Sequence, residues 1–151
     1  SDTAILSLKL DGSVVHQFQY SALQDAPEKL ECFLIADVQH GQELWVGCSK
    51  SGLILTWDLY SDDAVPNNML YIISRGISRL VQVDSKVWVA TKEGELHIYD
   101  ASSHTLDITL EGHTAAIRSM CTAQGRYVIT GSGSKEGKLC LWKTAPTPAM
   151  P

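Results

Sequence analysis

Short apolar runs rich in Val, Ile, Leu, Thr and aromatic residues recur along the chain, and turn clusters such as Ser51-Gly52, Glu93-Gly94 and Gln124-Gly125 separate them. Runs of this length, bounded by turn residues, read as β-strands. No segment sustains the 3.6-residue apolar spacing of an amphipathic helix. The stretch Tyr20 to Leu30 has room for a helical turn, but Pro27 limits it. The pattern predicts strands over 4–10, 14–20, 31–38, 43–48, 53–58, 69–74, 77–83, 86–91, 95–100, 106–110, 116–122, 126–131 and 138–143.

These strands repeat. Leu44-Trp45-Val46-Gly47-Cys48, Gly52 and Leu53 to Asp58 superimpose on Val87-Trp88-Val89-Ala90-Thr91, Gly94 and Glu95 to Asp100. A third copy follows in Val128-Ile129-Thr130-Gly131-Ser132, Gly137 and Lys138 to Lys143. Gly52 to Gly94 is 42 positions and Gly94 to Gly137 is 43; Trp57 to Tyr99 is 42 and Tyr99 to Trp142 is 43. One shared step is easy by chance, but the same step at several landmarks marks a true repeat. The units run over about 14–58, 69–100 and 106–143, with 144–151 a flexible Pro-rich tail.

Composition narrows the class. The chain has 151 residues, 44% of them hydrophobic and 19% charged, which fits a globular domain and excludes a disordered one. Its net charge of −5 argues against a nucleic-acid surface, which needs clustered Lys and Arg. No apolar run approaches the roughly 20 residues that span a bilayer, so direct membrane insertion is not expected. The four cysteines, at 32, 48, 121 and 140, lie in apolar stretches without Cys-x-x-Cys or zinc-ligand spacing. They read as buried, reduced thiols. With no basic and apolar leader at Ser1-Asp2-Thr3, this points to a cytoplasmic chain, and the missing initiator Met suggests a piece of something longer.

A period of about 40–45 residues, four short strands per unit and a Trp-Asp ending resemble the WD-repeat β-propeller family. Trp57-Asp58 matches the signature dipeptide, Tyr99-Asp100 is a conservative variant, and Trp142-Lys143 lacks the acid. Gly112-His113, 29 residues before Trp142, matches the family's Gly-His pair. The resemblance covers about residues 14–143 and implies an all-β fold, a propeller fragment of four-stranded antiparallel blades. It also implies a structural network joining His113, Thr130, Trp142 and an acid six residues before the Trp. That acid is Glu136 here, Glu93 in the second unit and Ser51 in the first. A Glu is one methylene longer than the family's Asp, so the network is expected to close imperfectly. Asp58 and Asp100 are expected to cap the turns after their strands, and Trp45 and Trp88 to fill space between blades. By the same resemblance the strands 4–10 and 14–20 are the third and fourth of a preceding blade, and the remaining blades of a parent chain would be partners.

Motifs for chemistry fail on inspection. Gly131 to Lys138 imitates a phosphate loop, but the gap is one residue too long, Leu139 follows, and the next element is a strand. Gly47 to Gly52 misses the nucleophile elbow by one residue. Asp37 and Asp84 stand near the ends of first strands without a matching set, and the scattered His16, His40, His97 and His104 suggest no metal. The expectation is a non-enzymatic chain without cofactor or metal that binds a protein or peptide partner. Loops on rigid scaffolds carry recognition; here they present Lys50, Arg75, Arg79, Lys92, Glu93, Arg118 and Lys135 as candidate partner-binding residues. The Trp-Val-Gly and Trp-Val-Ala strands also look like the carboxy-terminal propellers of some small-GTPase regulators, including DENN-domain exchange factors and Roc-COR kinases. That similarity implies a role in small-GTPase regulation or vesicle trafficking, with any catalytic activity outside this chain.

Overall fold

The computed structural model describes residues 3–20, 29–62, 65–72 and 76–144. Arg75, residues 145–151 of the tail and most of the candidate helical turn (21–28) lie outside the described residues. Within them the regular structure is thirteen strands, paired antiparallel, and no helix. β1 (Thr3–Leu8) and β2 (Val14–Tyr20) form a hairpin. Sheet I follows in the order β3 (Leu30–Val38), β4 (Gly41–Cys48), β5 (Leu53–Asp58) and β6 (Asn68–Tyr71). Sheet II comprises β7 (Ile77–Val83), β8 (Lys86–Thr91), β9 (Glu95–Asp100) and β10 (Leu106–Glu111). Sheet III has three strands, β11 (Ile117–Ala123), β12 (Tyr127–Ser132) and β13 (Leu139–Lys143). Each strand lies where the apolar runs put it. The largest difference is in β6, which stops at Tyr71.

The repeat is also a repeat of register. Leu44 faces Trp57 across β4 and β5, Val87 faces Tyr99 across β8 and β9, and Val128 faces Trp142 across β12 and β13. A slip of one residue would turn every side chain to the opposite face, so conserving the step conserves which face is apolar. The middle strands of sheets I and II are covered on both faces, and β4 and β8 are accordingly buried along nearly their whole length. Continuous apolar runs rather than alternation are what two covered faces require.

Three apolar layers join the sheets. Phe18 of β2 meets Trp57 edge-on at 5.9 Å, within a cluster containing Leu44, Val46, Leu53 and Leu55. Trp45, Ile54, Ile77, Val87, Val89 and Tyr99 fill the layer between sheets I and II, and Trp45 is wholly buried. Trp88, Leu96, Ile98, Ile117 and Val128, with half-buried Trp142, form the layer between sheets II and III. The inner strand β7 lies between β3 and β11, so the first strands of successive sheets stand side by side.

Each first strand carries a β-bulge at the same place. Pairing shifts between Leu30 and Cys32, between Ile77 and Arg79, and between Ile117 and Ser119. The extra residues are Glu31, Ser78 and Arg118. A bulge bends its strand and re-aims a side chain, and here the three re-aimed side chains differ in chemistry.

The outer face of sheet III is uncovered by the described residues. Leu139 and Leu141 are 76% and 68% exposed, and Cys121 on the same face is exposed too. This corrects the expectation of four buried thiols: Cys48 is buried and Cys32 and Cys140 are partly so, but Cys121 sits exposed on a strand face that no described residue covers. All four are free, and burial pushes the Cys32 thiol up to about 12.

Candidate interaction site

Where sheet II meets sheet III, the loop before β11 (112–116) and the loop between β12 and β13 (133–138) are tied by a chain of hydrogen bonds. Trp142 Nε1–H donates to Thr130 Oγ1 at 2.9 Å, and Thr130 Oγ1 lies 2.8 Å from His113 Nε2. His113 Nδ1 lies 3.0 Å from Glu136 Oε2, while the Thr114 backbone N–H donates to Glu136 Oε1 at 3.0 Å. For a neutral imidazole the direction follows from the donors available: indole to hydroxyl, hydroxyl to Nε2, and Nδ1–H to carboxylate. Every polar atom of the chain then has its partner, and the His113 side chain is 0% exposed. The extra methylene of Glu136 does not open the network. The loop gives the carboxylate room to reach both His113 and the backbone of Thr114. The Trp reaches the network through the Thr hydroxyl.

Glu136 is an ionised anchor. The Ser132 hydroxyl, the Thr114 N–H and the His113 ring, in that order, hold its carboxyl down to about 2, against an ordinary 4.5. The loop behind it is ordered by backbone bonds from Glu136 N–H and Gly137 N–H to Gly133 O, at 3.1 and 2.9 Å, and by Lys138 N–H to Ser132 Oγ at 3.0 Å. Packing holds the opposite wall. Gly94, at φ +94°, lets the β8–β9 turn approach the next repeat so closely that a Cβ there would stand 2.2 Å from His113 O. His113 N–H accordingly donates to Gly94 O at 3.2 Å.

These walls frame an open cleft of about 610 Å³, lined by Lys92 from the β8–β9 turn, residues 114–116, Arg118, and residues 133–135. Three of the candidate partner-binding residues, Lys92, Arg118 and Lys135, therefore converge although they lie in two different sheets. The others do not join them. Lys50 is exposed on the β4–β5 turn and Glu93 on the β8–β9 turn, outside the cleft lining. Arg79 turns its Nη1 to the Ser78 carbonyl at 2.6 Å.

The turn aspartates accept local backbone bonds. Asp100 Oδ1 accepts from Ser102 N–H and Ser103 N–H at 3.1 and 2.9 Å, which, with the Ser103 hydroxyl, holds its carboxyl below the usual range. Asp58 Oδ1 accepts from Tyr60 N–H at 2.9 Å. Trp57 and Tyr99 are buried in their layers.

The sequence did not reveal the polar contacts between sheets I and II. Buried Glu43 accepts from Trp45 Nε1–H at 3.3 Å and meets His104 Nε2 at 2.9 Å. The Gln82 amide bonds the Asp37 backbone in both directions, at 2.8 and 2.7 Å. One signal was available: Glu43 and Lys86 occupy the same repeat phase, each a charge opening an apolar strand that needs a partner. Lys86 finds Asp107 and Asp100. Among the described residues no group of three or more His, Cys, Asp or Glu is placed to hold a metal ion, and no helix is long and apolar enough to cross a membrane.

Against known proteins, no family model matches the chain. It is 26% identical over 109 residues to DENN domain-containing protein 3 of Mus musculus, a match covering 68% of this chain and 9% of that protein. It is 37% identical over 60 residues to nuclear distribution protein PAC1 of Zygosaccharomyces rouxii, covering 37% of this chain and 14% of that one. The chain thus spans a small part of the curated relatives it matches. A chain in the crystal structure of the mitotic checkpoint complex superimposes with a TM-score of 0.73 at 16% identity, over 95% of this chain and 43% of that chain. The fold is all-β, built of antiparallel blades of the WD-repeat-like β-propeller kind.

Proposed function

We propose that this chain is a non-enzymatic protein-interaction scaffold, working through loops at the boundary between the blades of sheets II and III. The observation that carries the proposal is the cleft itself. Loops from two successive repeats meet there and are fixed by the His113–Glu136 network, so a surface is pre-organised before any partner arrives. Rigid loops lose less conformational entropy on binding than mobile ones. WD-repeat-like neighbours, which are generally scaffolds, support the same reading. The exposed leucines of sheet III, and Leu6, Leu8, Val14 and Val15 of the β1–β2 hairpin, support a second contact, with further blades of a longer parent chain.

A photo-crosslinking residue placed at Ser134 in the cleft, and separately at Ser85 in the β7–β8 turn, tests the scaffold reading. Discrete protein adducts at Ser134 that are absent at Ser85 are expected. Equal labelling at both positions would overturn it.

A second reading rests on the match to the mouse DENN domain protein: this chain is the regulatory propeller of a larger small-GTPase or trafficking regulator. Its catalytic activity would lie elsewhere in the parent. Removing this segment from the parent should then alter where or when exchange occurs while leaving exchange on an isolated GTPase unchanged.

A further inference from the structure

We propose that the cleft between sheets II and III binds an extended acidic peptide, whose carboxylates pair with Lys92, Arg118 and Lys135. The proposal rests on the scaffold reading and names the partner's chemistry.

Four features point the same way. First, an acidic chain has gathered three of its 12 basic residues around one opening. Among the described residues none of the three is engaged in an ion pair or a side-chain hydrogen bond, whereas Lys86, Lys138 and Arg79 all have partners. Unpaired cations so close together repel one another and are stabilised by an incoming anion.

Second, the acid next to Lys135 in sequence is bound elsewhere. Glu136 follows Lys135 directly, but both its oxygens are committed to His113 and Thr114. Its charge holds the loop and is not free to fold over the cleft.

Third, Arg118 is placed by the backbone. It is the extra residue of the β11 bulge, where the equivalent residues of the other repeats are Glu31 and Ser78. Glu31 lies 3.8 Å from Lys29, and the Ser78 hydroxyl donates to Ala90 O at 3.1 Å. Only the third repeat uses the bulge to present a cation. Arg118 lies along Gly133, where an added Cβ would come 3.4 Å from both its Cγ and its Nε. The bare glycine backbone is the bed on which the guanidinium stem rests, leaving the planar fork free for bidentate carboxylate contacts.

Fourth, size and lining select the occupant. About 610 Å³ exceeds what one carboxylate fills, and the opening is not enclosed, so a chain can pass through it. Among the described residues no aromatic side chain lines the cleft to stack a base. Recognition of acidic segments by clustered cations is an established mode of peptide binding.

The test is fluorescence anisotropy with the purified chain and a labelled peptide alternating Glu and Gly, about six residues long and roughly 20 Å when extended. The same peptide with Gln for Glu is the neutral control. The acidic peptide should bind and the Gln peptide should not, and binding should weaken as salt is raised. Arg118→Gln should lower affinity about tenfold, the loss of one charge-assisted pair. Lys135→Gln should lower it severalfold, and Lys9→Gln, on the β1–β2 loop, should leave it unchanged. All three residues are exposed, and matching thermal melts would confirm intact folding. Equal binding of the Gln peptide, an equal loss with Lys9→Gln, or tighter binding of a single-stranded oligonucleotide of the same charge would each overturn the proposal. If the peptide fails while Ser134 adducts persist, the partner chemistry is wrong and the scaffold reading stands. If both fail, the cleft is not an interaction site.

Discussion

Sheets II and III share one register and one repeat, yet they are held by different physics. In sheet II the second strand places Val89 where sheet III has Thr130, and the third strand places Tyr99 where sheet III has Trp142. Val89 is wholly buried and Tyr99 nearly so, in an apolar layer against sheet I. Sheet III replaces that packing with a hydrogen-bonded chain through His113 and Glu136. The difference follows from what surrounds each sheet. The middle strands of sheet II are covered on both faces, so dispersion and apolar burial hold it. Sheet III has three strands among the described residues where sheet II has four, so its Trp142 stands on an edge strand and is only half-buried. A directional network supplies the ordering that a missing neighbour cannot.

The comparison breaks most visibly at the largest side chains. Trp45→Ala, in the closed layer between sheets I and II, should cost about 3–5 kcal/mol by urea unfolding. Trp142→Ala should cost clearly less, because less of the side chain is withdrawn from water. Equal losses would mean that exposure does not separate the two sheets.

Exchanging the residue that distinguishes the sheets comes next. Thr130→Val leaves the Trp142 N–H without its acceptor and His113 without its hydroxyl, for a loss of about 1–3 kcal/mol. Val89→Thr should lose a similar amount, about 1–3 kcal/mol, by burying an unpaired hydroxyl. Combining Thr130→Val with His113→Phe should restore part of the loss, since replacing both partners by apolar groups removes the unpaired atoms. An additive double mutant would show that no network exists.

Acid titration sharpens the same contrast. Glu136 binds its proton at about 2 in the fold and near 4.5 when unfolded. The unfolded chain therefore takes up protons first as pH falls, so this stabilisation is complete above about 4.5 and drains away between there and about 2. Melting temperatures over that window should fall more steeply for the wild-type chain than for Glu136→Gln. Parallel curves would remove the ionised anchor from the account.

The smallest expected effect lies in the turns. Asp100→Ala removes an acceptor of two backbone N–H groups and a hydroxyl, Asp58→Ala an acceptor of one backbone N–H. Asp100→Ala should lower the melting temperature slightly more than Asp58→Ala.

The network in sheet III was visible in the sequence because its members stand at fixed steps from Trp142. Whether Glu136 could close it was not, since a side chain one methylene longer fits or fails according to the loop that carries it. The cleft was half visible. Lys92, Arg118 and Lys135 belonged to a longer set of loop charges, and nothing in their spacing separated them from Lys50 or Glu93. Their convergence needs the β11 bulge and the close approach of the β8–β9 turn to His113, and both are contacts between distant segments. The Glu43–His104 pair was hidden for the same reason, with 61 positions between its members. Cys121 shows the converse error: its flanking residues are those of a buried strand, but burial needs a covering sheet.

The sequence by itself determined the strands, their register and the repeat, because these depend on side-chain alternation and turn chemistry within a few residues. The tertiary structure alone decided which faces are covered, which charges meet and which thiol reaches solvent, because these depend on how whole sheets pack.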